Sequence, residues 1–247
     1  MSIDLNTSVG DLVSEQIGRL EVFEAFGIDY CCGGKKSLLD ACLAAGVASD
    51  KVSAALAQKD ADIEAAKTVD TRDWREASLR ALTDHIVETH HAFTKRELPR
   101  VGDLLAKVLS AHGGNHPELA EVSEIYYALR RELEFHMMKE EQVLFPMIQE
   151  MESGREAGNF HCGSLSNPID VMEQEHDNAG AALRRLSELT DQYTPPADGC
   201  ATYQGLMAGL SALERDLHEH IHKENNILHP RAMELEASLI ASAQQRS

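Results

Sequence analysis

A short histidine and glutamate motif occurs twice in this 247-residue chain. Residues 136–146 read HMMKEEQVLFP and residues 220–230 read HIHKENNILHP, so both copies fit the pattern H-x-x-K-E-x-x-x-L-x-P. Residues four positions apart lie on one face of a helix, so each copy presents an imidazole and a carboxylate to the same point. The repeat predicts two matched ligand pairs, His136 with Glu140 and His220 with Glu224.

Two further histidines, His91 and His176, precede the two copies by 45 and 44 residues. If four helices meet in a bundle, these residues bring four imidazoles and two carboxylates together, a set that suits two metal ions with bridging carboxylates and an open position on each ion. Nitrogen and oxygen donors favour iron or manganese over magnesium, and the absence of thiolates argues against structural zinc. We therefore predict a non-haem centre of two iron ions per chain. The alternative, that these are solvated helix faces, would suit a single H-x-x-x-E pair better than a duplicated one.

Helix-forming residues dominate the chain, which predicts an all-α protein. A small helical domain is expected over residues 1–70, a linker at Thr68 to Asp73, and a four-helix bundle with a tail helix over residues 74–247. The helices are expected at 11–26, 38–45, 50–60, 74–111, 117–152, 168–191 and 199–225, with the tail helix from Pro230.

The composition excludes several classes of protein. Lys and Arg number 23 against 41 Asp and Glu, and the net charge of −18 argues against nucleic-acid or anionic-membrane partners. The sequence contains no apolar run of the roughly 18 residues that span a bilayer, and its start lacks the features of a signal peptide. Five cysteines, two of them adjacent, do not form a spaced disulfide framework. We expect a cytoplasmic protein with reduced thiols.

With these motifs in place, the chain resembles the iron-sulfur cluster repair family, di-iron proteins related to the hemerythrins. The residues that carry the resemblance are DYCCGGK at 29–35, HMMKEE with LFPM up to residue 147, VMEQEHDNAG at 171–180 and ENN at 224–226. The resemblance implies a small N-terminal helical domain, a hemerythrin-like bundle, and an oxo- or hydroxo-bridged di-iron site. It also implies a role in restoring iron-sulfur clusters damaged by nitric oxide or peroxide.

The family ligands correspond to the six residues found from the repeat: His91, His136, Glu140, His176, His220 and Glu224. Helix periodicity does not choose between His90 and His91, which differ by about 100° around a helix, so only one is expected to point inward. The family spacing before Leu98-Pro99 favours His91. Hemerythrins proper use more histidines, which weakens a pure dioxygen-carrier interpretation.

Cys31 and Cys32 precede Gly33-Gly34, whose missing side chains would let a partner or metal approach, and Lys35-Lys36 would favour thiolate formation. We expect a thiol or iron-transfer role for the two cysteines, against the alternative of an inert turn. Adjacent cysteines cannot readily chelate one metal together, so this role would need a partner or a second chain, and a homodimer is conceivable.

Glu132 and Glu175 are candidates to orient a ligand imidazole or to relay protons. The other histidines are expected at the surface or at helix caps, and the isolated cysteines as small core or surface residues: His85, His112, His116, His161, His218, His222, His229, Cys42, Cys162 and Cys200.

Three functions remain open for the same ligands. The first is support of cluster repair, by delivery of iron to damaged iron-sulfur proteins. The second is enzymatic reduction of nitric oxide or peroxide at the paired irons. The third is a hemerythrin-like sensor of dioxygen or nitric oxide. Neither a G-x-G-x-x-G motif nor a P-loop is present, so an enzyme would need electrons from a partner.

Overall fold

The computed structural model describes residues 3–66, 73–154 and 164–245. These residues form helices and turns, with a single isolated β-bridge between Ser8 and Ser37, which confirms the all-α class. In these ranges, none of the helices has the length and apolar character needed to cross a membrane. The chain forms two compact units, one of Met1–Leu82 with Glu219–Ser247 and one of Thr83–His218.

The first unit contains four N-terminal helices, α1 (Val9–Glu15), α2 (Leu20–Ala25), α3 (Leu38–Ala45) and α4 (Ser49–Ala66). Ser8 and Ser37 cap α1 and α3 by accepting hydrogen bonds from the backbone N–H groups of Asp11 and Asp40. The core of this unit includes Phe23, Leu38, Leu56 and, from the C-terminal part of the chain, Ile221.

The expected single helix over 11–26 is wrong, because the backbone is interrupted at Gln16. This residue is extended, with φ −148° and ψ 97°, and is followed by a 3₁₀ turn at Ile17–Arg19. The interruption lets the Arg19 guanidinium donate to the carbonyl oxygen of Leu12 and to the carboxylate of Asp60 on α4. A partly buried arginine thereby links the start of the first unit to α4.

The second unit has the four-helix core that the sequence predicts. Its main helices are α6 (Ala92–His112), α7 (Glu118–Lys139), α9 (Ser166–Leu189) and α10 (Ala201–Lys223), the last of which runs on into the first unit. Their apolar faces share one core, in which Leu105, Tyr126, Leu183 and Leu210 are buried. The remaining helices are α5 (Leu79–His85), α8 (Phe145–Glu152) and α11 (His229–Gln244).

Three π-helical turns interrupt the long helices, at Ile86–His91, Glu140–Leu144 and Glu224–Leu228. The second leads directly into α8, so the helical path continues to residue 152 as expected, and the third leads directly into α11, without the break expected between residue 225 and Pro230. Pro146 and Pro230 lie in the first turns of these two helices, where a missing N–H costs no hydrogen bond.

Part of the predicted organisation falls outside the described ranges. The linker expected at Thr68 to Asp73 is described only at Asp73, and His161 and Cys162 are not described. The division into residues 1–70 and 74–247 stays a prediction.

Candidate metal centre

Three of the six predicted ligands lie on long α-helices and three lie in π turns. His136, His176 and His220 lie on α7, α9 and α10, while His91 ends one π turn and Glu140 and Glu224 each begin another. All six side chains are buried, and His91, Glu140 and Glu224 are 0% exposed. Isolated π turns are frequent at functional sites because the extra residue redirects a side chain. Each of the three π turns here carries a predicted ligand.

In the second unit, four of the ligands converge through their donor atoms. The Nε2 atoms of His136 and His176 lie 3.0 Å apart, and His136 Nε2 lies 3.3 Å from Glu140 Oε1. His91 Nε2 lies 3.3 Å from the other oxygen, Glu140 Oε2. The two oxygens of one carboxylate therefore face two different imidazoles, which is the arrangement that a bridging carboxylate requires.

In the first unit, the repeated motif forms the same local pair. His220 Nε2 lies 3.0 Å from Glu224 Oε1, one helical turn further along the chain. The two units thus contain the two copies of an imidazole and carboxylate pair. Each offers nitrogen and oxygen donors without a thiolate, a donor set that fits iron or manganese.

Two outer carboxylates hold ligand imidazoles by their second nitrogen. Glu175 Oε2 lies 2.8 Å from His136 Nδ1, and Glu141 Oε1 lies 2.7 Å from His91 Nδ1. With Nδ1 donating to a carboxylate, the lone pair of each imidazole is on Nε2, the atom that faces Glu140 in both residues. Glu175 is therefore placed to orient a ligand imidazole, as the sequence analysis suggested. The sequence analysis did not identify Glu141, which has the same contact with His91.

Lysines complete both outer contacts. Lys139 donates to Glu175, and Lys95 donates to both oxygens of Glu141 at 2.6 and 2.8 Å. Burial alone would raise the pKa of each glutamate, but these lysines and the imidazoles together lower both pKa values. Both carboxylates stay ionised and can accept from Nδ1–H.

The contact expected from Glu132 is absent from the described residues. Its side chain is exposed, and none of its hydrogen bonds reaches His136. Glu132 lies one turn before His136 on α7 but its side chain faces solvent, whereas Glu175 reaches His136 Nδ1 from α9.

The two adjacent histidines are both buried, so the expectation that only one can point inward is wrong. His91 contacts Glu140, while His90 Nδ1 lies 3.1 Å from Asp216 Oδ1 on α10. The π turn at Ile86–His91 changes the angular spacing on which that expectation was based. His91 remains the residue of the pair that faces the ligand carboxylate.

Two histidines assigned to the surface are in fact buried, namely His222 and His229, which are 0% and 1% exposed. His222 Nε2 lies 3.3 Å from Ser14 Oγ, and His222 Nδ1 lies 3.3 Å from Asn226 Nδ2. The imidazole ring packs against the ring of Tyr30. Burial lowers the pKa of His222 to about 4, so this imidazole is neutral at physiological pH. Helix periodicity did not indicate this burial, because residues two positions apart, such as His220 and His222, lie on different faces of a regular helix.

The cysteine turn is organised by Asp29. Its Oδ1 accepts hydrogen bonds from the backbone N–H groups of Cys31, Cys32 and Gly33 at 3.0 to 3.2 Å, and from the Cys31 thiol at 3.3 Å. The contact with Cys32 and burial raise the pKa of Cys31 well above its usual range. The expectation that neighbouring lysines favour a thiolate is therefore wrong for Cys31.

The Asn226 side chain occupies the space beside Gly34, one of the two glycines that follow the cysteines. A Cβ on Gly34 would lie 2.1 Å from Asn226 Oδ1, and one on Gly10 would lie 2.6 Å from the same atom. Asn226 Nδ2 donates to the carbonyl oxygen of Cys31 at 3.0 Å. The absent side chain of Gly34 thus makes room for Asn226, which follows the ligand Glu224 by two residues, rather than for an external partner.

Known proteins similar to this chain share both of its parts. The family model described as Hemerythrin HHE cation binding domain matches residues 82–232, which include all six predicted ligands. A second model, described as a Domain of Unknown function (DUF542), matches residues 5–60, which include the cysteine turn.

Whole-chain relatives are similar over nearly their full length. The iron-sulfur cluster repair protein YtfE of Enterobacter sp. (strain 638) is 37% identical over 225 residues, or 91% of this chain and 96% of that protein. The protein of the same name from Musicola paradisiaca (strain Ech703) is 37% identical over 230 residues, or 93% of this chain and 97% of that protein. A third, from Salmonella newport (strain SL254), is 37% identical over 212 residues, or 86% of this chain and 90% of that protein.

Proposed function

Because the chain belongs to the hemerythrin-like iron-sulfur cluster repair family, we propose that it supports repair by holding two iron ions and delivering iron to damaged clusters. Its proposed partners are cytosolic iron-sulfur proteins whose clusters have been damaged by nitric oxide or peroxide. In this role the iron is cargo, so the residues must hold it firmly enough to store it and loosely enough to release it.

We assign the six ligands to one dinuclear centre: His91, His136, Glu140, His176, His220 and Glu224. The cation-binding domain match over 82–232 supports this assignment, and so does the duplication of the motif. The two oxygens of Glu140, which face His136 and His91, support a bridging role for this carboxylate. By the repeat, Glu224 would have the corresponding role in the second copy, with an oxide or hydroxide as a further ligand of the two irons.

Bound iron would supply open coordination positions and a change of oxidation state at this site. The chain's own residues supply the rest. Glu141 and Glu175 hold two imidazoles in the tautomer that directs Nε2 toward the metal, and Lys95 and Lys139 hold those carboxylates in place. Burial of the ligands limits access of water and competing ligands.

One observation carries the delivery proposal: the cysteine turn is hydrogen-bonded to the helical turn that carries Glu224. Asn226 Nδ2 donates to the Cys31 carbonyl oxygen, and its side chain fills the space left by Gly10 and Gly34. A displacement of the cysteine turn on contact with a client would therefore act on the segment that holds Glu224. Cys32 is partly exposed and can receive released iron.

The test compares the double variant Cys31→Ser with Cys32→Ser against Cys42→Ser, a buried cysteine of the same unit outside the turn. Each protein is loaded with iron and incubated anaerobically with a nitric-oxide-treated iron-sulfur enzyme. Bound iron and recovered client activity are measured together. We expect normal iron loading in all three, recovery with wild type and Cys42→Ser, and a large loss of recovery with the double variant.

Three outcomes would contradict the proposal. Full recovery with the double variant would remove the cysteines from the function. Multiple turnovers of nitric oxide with all iron retained would indicate a reductase instead of a donor, and reversible gas binding without repair would indicate a sensor. The homodimer stays a prediction.

A further inference from the structure

A second group of metal-binding side chains lies at the far end of the bundle. His112 ends α6, and it follows His91 by 21 residues along the helical path, a distance of about 31 Å at about 1.5 Å per residue. Two loops of the same unit meet there, the one between α6 and α7 and the one before α10. The proposed iron centre cannot include these residues.

The donor atoms of this group are close together. One donor atom each from His112, His116 and Asp198 lie within 4.8 Å of one another. His116 Nε2 lies 3.0 Å from Asp198 Oδ1, and His112 Nε2 lies 3.3 Å from the sulfur of Cys200. We refer to these four residues as the loop cluster.

The imidazoles of the loop cluster are held in place by their surroundings. The buried ring of Tyr203 contacts both, with centroid distances of 5.4 Å to His112 and 5.6 Å to His116. Glu118 Oε1 lies 3.0 Å from His116 Nδ1, so a proton on Nδ1 leaves Nε2 free to face Asp198. Glu141 and Glu175 orient the ligand imidazoles of the iron centre in the same way.

These donor types and spacings suit a tetrahedral ion. With bonds of about 2.05 Å to nitrogen or oxygen and about 2.3 Å to sulfur, tetrahedral donors lie about 3.3 to 3.6 Å apart. The His116–Asp198 and His112–Cys200 distances of 3.0 and 3.3 Å differ from these values by only a few tenths of an ångström. The Cys200 sulfur does not lie within 4.8 Å of all three other donor atoms, so binding of one ion by all four requires Cys200 to move toward His116 and Asp198. Two histidines, a carboxylate and a cysteine are donors that zinc accepts, and the thiolate distinguishes this set from that of the iron centre.

We propose that the loop cluster is a zinc site, in which His112, His116, Asp198 and Cys200 bind one ion that ties the two loops together. Glu118 is a positioning residue for His116.

The competing explanation is that His116 and Asp198 form only an ion pair. Asp198 and Cys200 are exposed, and exposed ion pairs contribute little to stability. An ion pair would not require Cys200, nor would it change with added zinc. The two explanations are therefore separable by metal binding.

The experiment adds zinc to the iron-loaded full chain, removes unbound metal, and measures zinc and iron together by elemental analysis. We expect about one zinc per chain in wild type with iron unchanged, and a loss of that zinc in Asp198→Asn and His116→Ala. Asp191→Asn, which changes an exposed aspartate seven residues earlier in the same loop, is the matched control and should keep it. Glu118→Gln should bind zinc about 10- to 100-fold more weakly, the range typical of such orienting groups.

Cobalt serves as a coloured substitute for zinc in the same protein. Wild type should show the absorption of tetrahedral cobalt together with a thiolate-to-cobalt charge-transfer band, and Cys200→Ser should lose that band. Iron content and helical circular dichroism confirm that each variant is folded. The proposal is overturned if wild type binds no zinc beyond its iron sites, if Asp198→Asn retains zinc as wild type does, or if the charge-transfer band is absent.

Discussion

Replacing Glu175 by glutamine should weaken iron binding while leaving the fold intact. Glu175 accepts from His136 Nδ1 at 2.8 Å and is paired with Lys139, so the change removes the charge that fixes the imidazole but preserves its size. Loss of a carboxylate that orients a metal-bound histidine lowers metal affinity by about 10- to 100-fold. The Glu175 side chain is 33% exposed, and solvent screening places the expected loss near the lower limit.

A tenfold loss corresponds to about 1.4 kcal/mol of binding free energy. Glu132→Gln is the matched control, because it removes the same charge from an exposed glutamate one turn before His136 and should bind iron as wild type does. The assay is anaerobic competition between the protein and a ferrous chelator, with helical circular dichroism as a check of folding. Equal iron affinity in Glu175→Gln and Glu132→Gln would refute the positioning role of Glu175.

Two further predictions concern the packing of residues 222–226 against the segment that contains the cysteine turn. Gly34→Ala should lower the free energy of unfolding by about 1 to 3 kcal/mol in a urea titration, because the added Cβ would lie 2.1 Å from Asn226 Oδ1 and 2.7 Å from the Tyr30 carbonyl oxygen. Gly205→Ala is the control and should cause no loss, because no atom lies nearer than 3.9 Å to its added Cβ. Burial lowers the pKa of His222 from 6.5 to about 4. Between these pH values the unfolded chain binds a proton at this residue and the folded chain does not. The free energy of unfolding should therefore fall by up to about 3 kcal/mol from pH 6.5 to pH 4. His222→Gln should flatten that slope relative to wild type, and an unchanged slope would refute this assignment.

The fold class and the candidate ligands could be predicted because they depend on local periodicity. Spacing by four places His136 with Glu140 on one helix face, and the same spacing recurs at His220 and Glu224. In both pairs the contact is made within one turn, so it needs no knowledge of how helices pack.

What the sequence could not predict depends on the register between helices. Glu141 reaches His91 from a different helical segment, and only packing decides that it does so whereas Glu132 does not reach His136. The π turn at Ile86–His91 changes the angular spacing of His90 and His91, which are both buried. His229 follows the π turn at Glu224–Leu228, whereas His222 precedes it and is buried by its contacts with Ser14 and Tyr30. Gly33 and Gly34 were expected to leave room for a partner or metal, because the sequence does not reveal that Asn226 fills the space beside Gly34.

The most direct test of the account is the magnetic state of iron in the anaerobically loaded protein. We predict about two irons per chain, coupled through the carboxylates, so that the fully oxidised protein gives no paramagnetic resonance signal and one-electron reduction gives a mixed-valence signal. In His136→Ala and His220→Ala, both the iron content and this coupling should be lost or strongly reduced. One iron per chain with the signal of an isolated high-spin ferric ion would contradict the dinuclear centre.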